Sequence, residues 1–243
     1  MSLARGCKRP RSLTEKLKGK GVTSVPVAVP LVRDGSNARA GNVLNRMLPT
    51  PMLSRPGPIP SGEGWSFEVK WDGFRALVST VDGLRVRSRS GWNMTELLPE
   101  LRSLPAGLVL DGELVAFKDG VPHFPLLSRR LLNGDRSIPV LFVAFDLLHV
   151  DGRDLMRSPH RVRRRQLESL ALHDGFCIAA EAFTDGHELY MAVCERGLEG
   201  IVAKRSTSTY RPGQRGWVKI KNPDYWRRDS ELTALKRSLE RSF

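Results

Sequence analysis

Cysteine is scarce: Cys7, Cys177 and Cys194 are the three in 243 residues. Their odd number and wide scatter argue against a disulfide framework, and the lack of a Cys-x-x-Cys pair argues against a zinc site. A reducing, cytoplasmic setting is expected. His123, His149, His160, His173 and His187 show no metal-ligand spacing either. No apolar run reaches the ~18–20 residues of a membrane span. No uninterrupted apolar segment follows the first basic residues, so the N-terminus does not read as a signal peptide. Acidic residues fall short of basic ones, 26 Asp and Glu against 39 Lys and Arg, for a formal net charge of +13. That excess favours a polyanionic partner, most simply nucleic acid, although charge alone leaves a membrane surface open.

What is present is a globular composition, 40% hydrophobic, in a chain long enough for one large domain or two small ones. Residues 1–49 read as a basic, flexible arm: Arg5, Lys8, Arg9, Arg11, Lys16, Lys18 and Lys20 are interrupted only by Glu15. Such an arm either holds DNA through its phosphates or is a solvated leader without a role. The folded domain is expected over 50–222. Over 223–243 a closing helix is expected, with Leu232, Leu235 and Leu239 at helical spacing.

Within the domain one stretch organises the rest: Phe67-Glu68-Val69-Lys70-Trp71-Asp72-Gly73-Phe74-Arg75. As a strand ended by Gly73 it puts Phe67, Val69 and Trp71 on one face and Glu68, Lys70 and Asp72 on the other, same-face neighbours roughly 6.5–7 Å apart. By itself this is either an edge strand with a solvated charged face or a reactive amine flanked by carboxylates. Later stretches tilt the choice. Asp82-Gly83 between β-rich runs predicts a hairpin over 76–89, with Leu84 and Val86 inward and Arg85, Arg87 and Arg89 outward. A short helix is expected over 97–104, interrupted or started at Pro99. In the strand 108–117, Asp111 and Glu113 share a face, and two carboxylates on an otherwise apolar strand call for a partner or a cation. Asp119-Gly120 predicts a turn and 124–132 a helix. The run 141–148 reads as a strand buried on both faces, Phe145 being a core residue by default. Ser158-Pro159 predicts a helix start, cap followed by proline, with a basic face of Arg161, Arg163, Arg164 and Arg165 reaching about Leu172; that face is read as solvated or touching DNA. A further helix is expected over 187–196, stopped by Gly197. Glu199 then precedes a glycine and a β-branched run. In Trp217-Val218-Lys219-Ile220-Lys221, two lysines point together, a repulsion that an anion between them would remove.

Lys70-Trp71-Asp72-Gly73-Phe74-Arg75 resembles the Lys-x-Asp-Gly-x-Arg signature of the covalent nucleotidyltransferases: ATP-dependent DNA ligases, RNA ligases and mRNA-capping guanylyltransferases. Four companions in the same order strengthen the resemblance: Ser88-Arg89-Ser90-Gly91 (where the usual pattern has Asn after the Arg), Leu110-Asp111-Gly112-Glu113, Phe145-Asp146-Leu147-Leu148 and Glu199-Gly200-Ile201-Val202-Ala203-Lys204, with Lys219 and Lys221 closing the series. Together they look closest to bacterial ATP-dependent DNA ligases, especially the ligase module of the multifunctional end-joining enzymes.

The resemblance implies an α+β, ATP-grasp-like nucleotidyltransferase (adenylation) domain: two antiparallel β-sheets around a nucleotide groove, with helices outside. It implies that Lys70 forms a lysyl-AMP from ATP, with Mg²⁺ or Mn²⁺ held by Glu113 and Glu199. Phe145 would stack on the base, Glu68 would help select it, and Lys219 and Lys221 would hold the α-phosphate. Asp72 would orient or deprotonate the attacking hydroxyl in the last step, and Arg75 and Arg89 would fix the strand of nicked or broken duplex DNA. About twenty residues follow the last motif, enough for a helix and not for the five-stranded OB-fold barrel that follows it in cellular ligases. An OB-domain or end-binding protein acting in trans is therefore expected. A catalytically reduced DNA-binding remnant and an RNA ligase or capping-type enzyme are the alternative readings.

Overall fold

The structure, a computed structural model, describes residues 48–172 and 175–225. The basic arm, up to its last two residues, and the helix expected over 229–239 lie outside the described residues.

The two sheets follow from the alternation of apolar residues, and each is covered on both faces. The larger takes β3 (Phe74–Ser79), β4 (Arg85–Ser88), β5 (Leu108–Val115), β8 (Leu141–Val150) and β10 (Cys177–Ala179) in the order β10-β8-β5-β3-β4, with β9 (Arg153–Asp154) paired to β8. The smaller takes β1 (Leu53–Pro56), β2 (Trp65–Val69), β11 (Gly200–Arg205) and β12 (Arg215–Lys221) in the order β1-β12-β11-β2. Neighbours are antiparallel except at one edge of each sheet, where β10 joins β8 and β1 joins β12 in parallel. A third, two-stranded ribbon joins β6 (Phe117–Lys118) to β7 (Val121–Pro122) through Asp119 and Gly120, both at positive φ (52° and 81°) as a tight hairpin requires.

Three helices complete the layers. In α1 (Phe124–Leu132), Leu127 and Leu131 are buried in the core on the outer face of the large sheet, which also takes Leu98 and Leu101 from two 3-10 turns, Thr95–Leu97 and Pro99–Ser103. The short helix expected over 97–104, interrupted or started at Pro99, is the second of those turns, the first closing at Leu97; Pro99 disfavours helical backbone in Leu98 before it. Helix α3 (Gly186–Glu195) starts at Asp185, whose side chain accepts from Glu188 N–H, and ends before Gly197 at φ 61°. Its Leu189, Ala192 and Val193 cover Phe67, Val69, Ile201 and Val218 of the small sheet. Between the sheets lies a third core of Met52, Leu77, Val109, Leu148, Tyr210 and Trp217.

Helix α2 (His160–Ser169) departs from expectation twice. Pro159 is the N-cap itself, at φ −56° and ψ 146°, so Ser158 offers no side-chain cap, and the helix ends earlier than Leu172. Its first N–H groups are satisfied instead by the loop after β11: His160 N–H donates to Ser208 O at 2.7 Å and Arg161 N–H to Ser206 O at 2.9 Å. The basic face is split. Arg161 and Arg165 are exposed, whereas Arg163 is fully buried and forks onto Asp146 at 2.7 and 2.9 Å, and Arg164 is buried against Glu168 at 2.7 Å. Neither of the inner two is free to be solvated or to meet DNA.

With both partners of the Arg163–Asp146 pair at 0% side-chain exposure, removing one leaves a bare buried charge. Arg163→Ala is expected to lose about 3–5 kcal/mol in urea unfolding, and Arg163→Met combined with Asp146→Leu to recover most of it.

Candidate active site

The lysine strand stops at Val69, short of its expected end at Gly73. β2 ends at Val69 and β3 begins at Phe74, in different sheets, so residues 70–73 are the crossing between them. Glycine makes the crossing possible. A Cβ on Gly73 would lie 1.9 Å from Leu114 O, so only a bare backbone can press this close to β5. Gly200, at φ 147°, is as tightly placed: a Cβ there would lie 2.1 Å from Ile220 O. Lys70 N–H donates to Gly200 O at 2.8 Å, which ties the crossing to the start of β11.

This brings the charged groups together. Lys70 Nζ donates to Glu199 Oε2 at 2.6 Å, and Lys221 Nζ stands 3.7 Å from Glu199 Oε1. Glu113 lies opposite Arg75 in the β3–β5 pairing. Burial pushes the Glu113 carboxyl up to about 8, although Lys70 and Arg75 pull the other way; Glu199 and Asp111 add to the rise. A hard cation with oxygen ligands beside Glu113 would favour its ionised form. Among the described residues no three His, Cys, Asp or Glu side chains form a metal set. A cation here would complete its shell with water and phosphate oxygens, as magnesium does.

The groove wall is aromatic and cationic. The β5–β8 pairing shifts register between Asp111 and Gly112, where Ala144 and Asp146 are the successive partners and Phe145 is the extra residue, a bulge that re-aims its side chain. Phe145 meets Trp217 edge-on at 5.7 Å. Arg75 lies 5.3 and 5.2 Å from these two ring centroids, and Lys204 Nζ 4.7 Å from each. Arg75 is also gripped by Asp111 at 2.9 and 2.6 Å, and Tyr210 O–H donates to the same carboxylate at 2.7 Å. Burial opposes the charge on Arg75, but Asp111 outweighs it and raises its pKa. Arg75 thus belongs to the wall of the site; its guanidinium is already engaged by a carboxylate, not held open for a strand.

Glu68 corrects the picture of a solvated charged face. It is 2% exposed, paired with Lys204 at 2.8 Å, with Arg164 at 3.7 Å and His160 at 3.9 Å. Lys204 also donates to Phe145 O at 2.7 Å. Burial, and then the Lys204 charge, holds His160 down at about 3, so the imidazole is neutral. Asp72 is buried and accepts from Tyr225 O–H at 2.7 Å. Lys219 shares the period-2 face of β12 with Trp217 and Lys221. Arg89 stands apart, exposed in the turn after β4 at the edge of the large sheet.

Lys70, Glu199 and Lys221 therefore form one charged cluster, Arg75 links Glu113 on β5 to Phe145, and Glu68 is buried with Lys204 behind Phe145. Lys204, Trp217 and Tyr210 were missed as site residues. Trp217 shared the alternating face of Lys219 and Lys221, a signal that could have found it; Tyr210, in a loop, offered none.

The profile of the ATP-dependent DNA ligase domain matches residues 44–221. The chain belongs to that family. This ligase domain is 38% identical over 201 residues to the multifunctional non-homologous end joining protein LigD of Mycolicibacterium smegmatis, an alignment covering 78% of this chain and 25% of that protein. It thus spans about a quarter of that relative's length. Among solved structures it resembles the ligase domain from M. tuberculosis LigD, with a TM-score of 0.63 and 37% identity over 75% of this chain and 60% of that one. A mycobacterial DNA ligase D complexed with ATP and MES matches with a TM-score of 0.62 and 37% identity, over 75% of this chain and 61% of that one. Among the described residues of this ligase domain, no helix is long and apolar enough to cross a membrane.

Two groups, the half-buried Glu113 and the buried His160, should bend its stability in opposite directions. Folded, without nucleotide, Glu113 keeps its proton to about pH 8; unfolded, it loses it near 4.5. The folded state binds the extra proton in that window, so stability falls as pH rises through it. His160 takes a proton below 6.5 when unfolded but only near 3 when folded, so its contribution is lost as pH falls through that range. In urea unfolding, Glu113→Gln is expected to remove the first slope and His160→Gln the second.

Proposed function

We propose that this ligase domain charges itself from ATP at Lys70, passes AMP to the 5′-phosphate of a nick or break in duplex DNA, and joins the strands, as a repair ligase of the cytoplasm. The observation that carries the reading is Lys70 Nζ held 2.6 Å from Glu199, with Lys221 on the other carboxylate oxygen, beside the Phe145 wall. An ammonium is no nucleophile, so the proton on Lys70 must leave before attack, and Glu199 is the acceptor already in contact. The N–P bond then forms at the α-phosphorus as the bond to pyrophosphate breaks. In the second step an oxygen of the DNA 5′-phosphate takes AMP from the lysine. In the third, the 3′-hydroxyl attacks that phosphate, AMP leaves, and Asp72 orients the hydroxyl or accepts its proton.

The other residues bind and orient. Phe145 offers a ring face to the adenine, and Lys219 and Lys221 compensate charge on the α-phosphate. Glu68 helps select the base from the wall behind Phe145, through its bond to Lys204. Glu113 and Glu199 are the carboxylates that would hold magnesium or manganese, which supplies charge neutralisation on the phosphates when bound. Arg89, exposed on the hairpin edge, takes a DNA phosphate; Arg75 acts by fixing Asp111 and the aromatic wall. An OB domain or an end-binding protein would clamp the duplex. The complete set of Lys70, Glu113, Glu199 and Lys221 speaks against an idle remnant, and the DNA ligase relatives speak against an RNA-joining enzyme.

Intact mass after incubation with ATP and magnesium tests the charging step. A gain of one AMP is expected in the wild type and none in Lys70→Ala; no gain in either protein would overturn the reading. For DNA binding, Arg89→Ala is expected to weaken nicked duplex regardless of sequence and to lower the salt slope by about 1, read from affinity against salt concentration.

A further inference from the structure

Asp72 and Tyr225 are joined by one hydrogen bond whose two ends are both buried, at 8% and 7% exposure. Tyr225 does not line the groove. It arrives on the turn that follows β12, and that turn is anchored independently. Asn222 N–H donates to Glu199 O at 2.9 Å, and Asn222 Nδ2 to Leu198 O at 3.0 Å. Asn222 Oδ1 in turn accepts from Asp224 N–H at 3.0 Å, which bends the chain back toward the crossing between the sheets. Two links therefore leave this turn for the active site. Asn222 holds the segment carrying Glu199, which receives Lys70. Tyr225, through its hydroxyl, holds Asp72.

We infer that Tyr225 is a positioning residue for Asp72, serving the strand-joining step and not the charging of Lys70; the inference rests on the ligase reading above. In strand joining the bond from O3′ to phosphorus forms, the phosphorus–oxygen bond to AMP breaks, AMP departs, and the hydroxyl proton passes to Asp72. That transfer needs the carboxylate in one orientation, and the aspartate side chain turns about two bonds unless something holds it. The phenol, itself packed in place, holds one oxygen. Lys70 keeps both of its own contacts, to Glu199 and to Gly200 O, without Tyr225.

The test uses the full chain as wild type, Tyr225→Phe, Asp72→Asn and the double variant. Two single-turnover rates are measured: lysyl-AMP formation from ATP and magnesium, and sealing of a nicked duplex that already carries AMP on its 5′-phosphate, which bypasses Lys70. Tyr225→Phe is expected to seal about ten- to a hundredfold more slowly, the range for a lost hydrogen bond to a charged group. Its charging rate should stay within about twofold, and it should cost nothing further in the Asp72→Asn background. Sealing at the wild-type rate overturns the inference and leaves the ligase reading intact. Equal loss of charging and sealing, or additive loss with Asp72→Asn, also overturns it, by making Tyr225 structural or independent of Asp72. Wild-type protein that charges Lys70 but never seals the adenylylated nick removes the step Asp72 serves, and overturns the inference while the charging half of the reading stands. A wild type that forms no lysyl-AMP strikes the ligase reading itself, and the inference falls with it.

Discussion

The structure depends on one close approach of bare backbone. At Gly73 the chain leaves the small sheet and enters the large one with no room for a Cβ between itself and Leu114 O. Because it can pass there, a strand of each sheet is continuous with the crossing, and Lys70 comes to rest where the sheets converge. The amide of Lys70 is held by Gly200 O, and Gly200 is itself pressed against β12 in a conformation that glycine alone adopts readily. Lysine, its Glu199 partner and the β12 lysines are thus set by glycine contacts more than by their own side chains.

Charge inside the domain is mostly cancelled in pairs. Arg163 takes Asp146, Arg75 takes Asp111 with help from Tyr210, and Lys204 takes Glu68. Each pair replaces lost hydration with hydrogen bonds and direct attraction, and each is costly to break singly. Together they form a rigid wall behind Phe145 and Trp217. The balance is left incomplete at the mouth of the groove. There Glu113 resists ionising while Lys70 and Lys221 both lean on Glu199. Under the proposed reading, that imbalance is what a cation beside the carboxylates and a phosphate beside the lysines would relieve.

Much of this was legible in one dimension. The hairpin over 76–89, the Asp119-Gly120 turn, α1, α3 and the strands β5, β8, β11 and β12 follow from alternation and turn chemistry, because each depends on neighbours a few residues away. The identity of Lys70, Glu113 and Glu199 as a set came from their order along the chain. What misled was burial. Alternation left the Glu68 face either solvated or part of a reactive site, and only tertiary packing places Lys204, Arg164 and His160 against it. Arg163 looked like part of a basic surface since nothing local reveals that its partner is Asp146, 17 residues away; Arg164 bonds Glu168 one turn on, but its burial is not legible locally.

Local sequence by itself determined which residues could form strands, turns and helices, because propensity and spacing are properties of short segments, and the order of its motifs carried the family resemblance. Tertiary structure alone decided that 67–75 is broken into two strands of different sheets, that Arg75 faces Asp111, that Tyr210 and Trp217 belong to the site, and that Tyr225 reaches back to Asp72. Those contacts join residues as much as 153 positions apart. Their energies depend on what else is excluded from the same small volume, and that is settled only when the sheets close on each other.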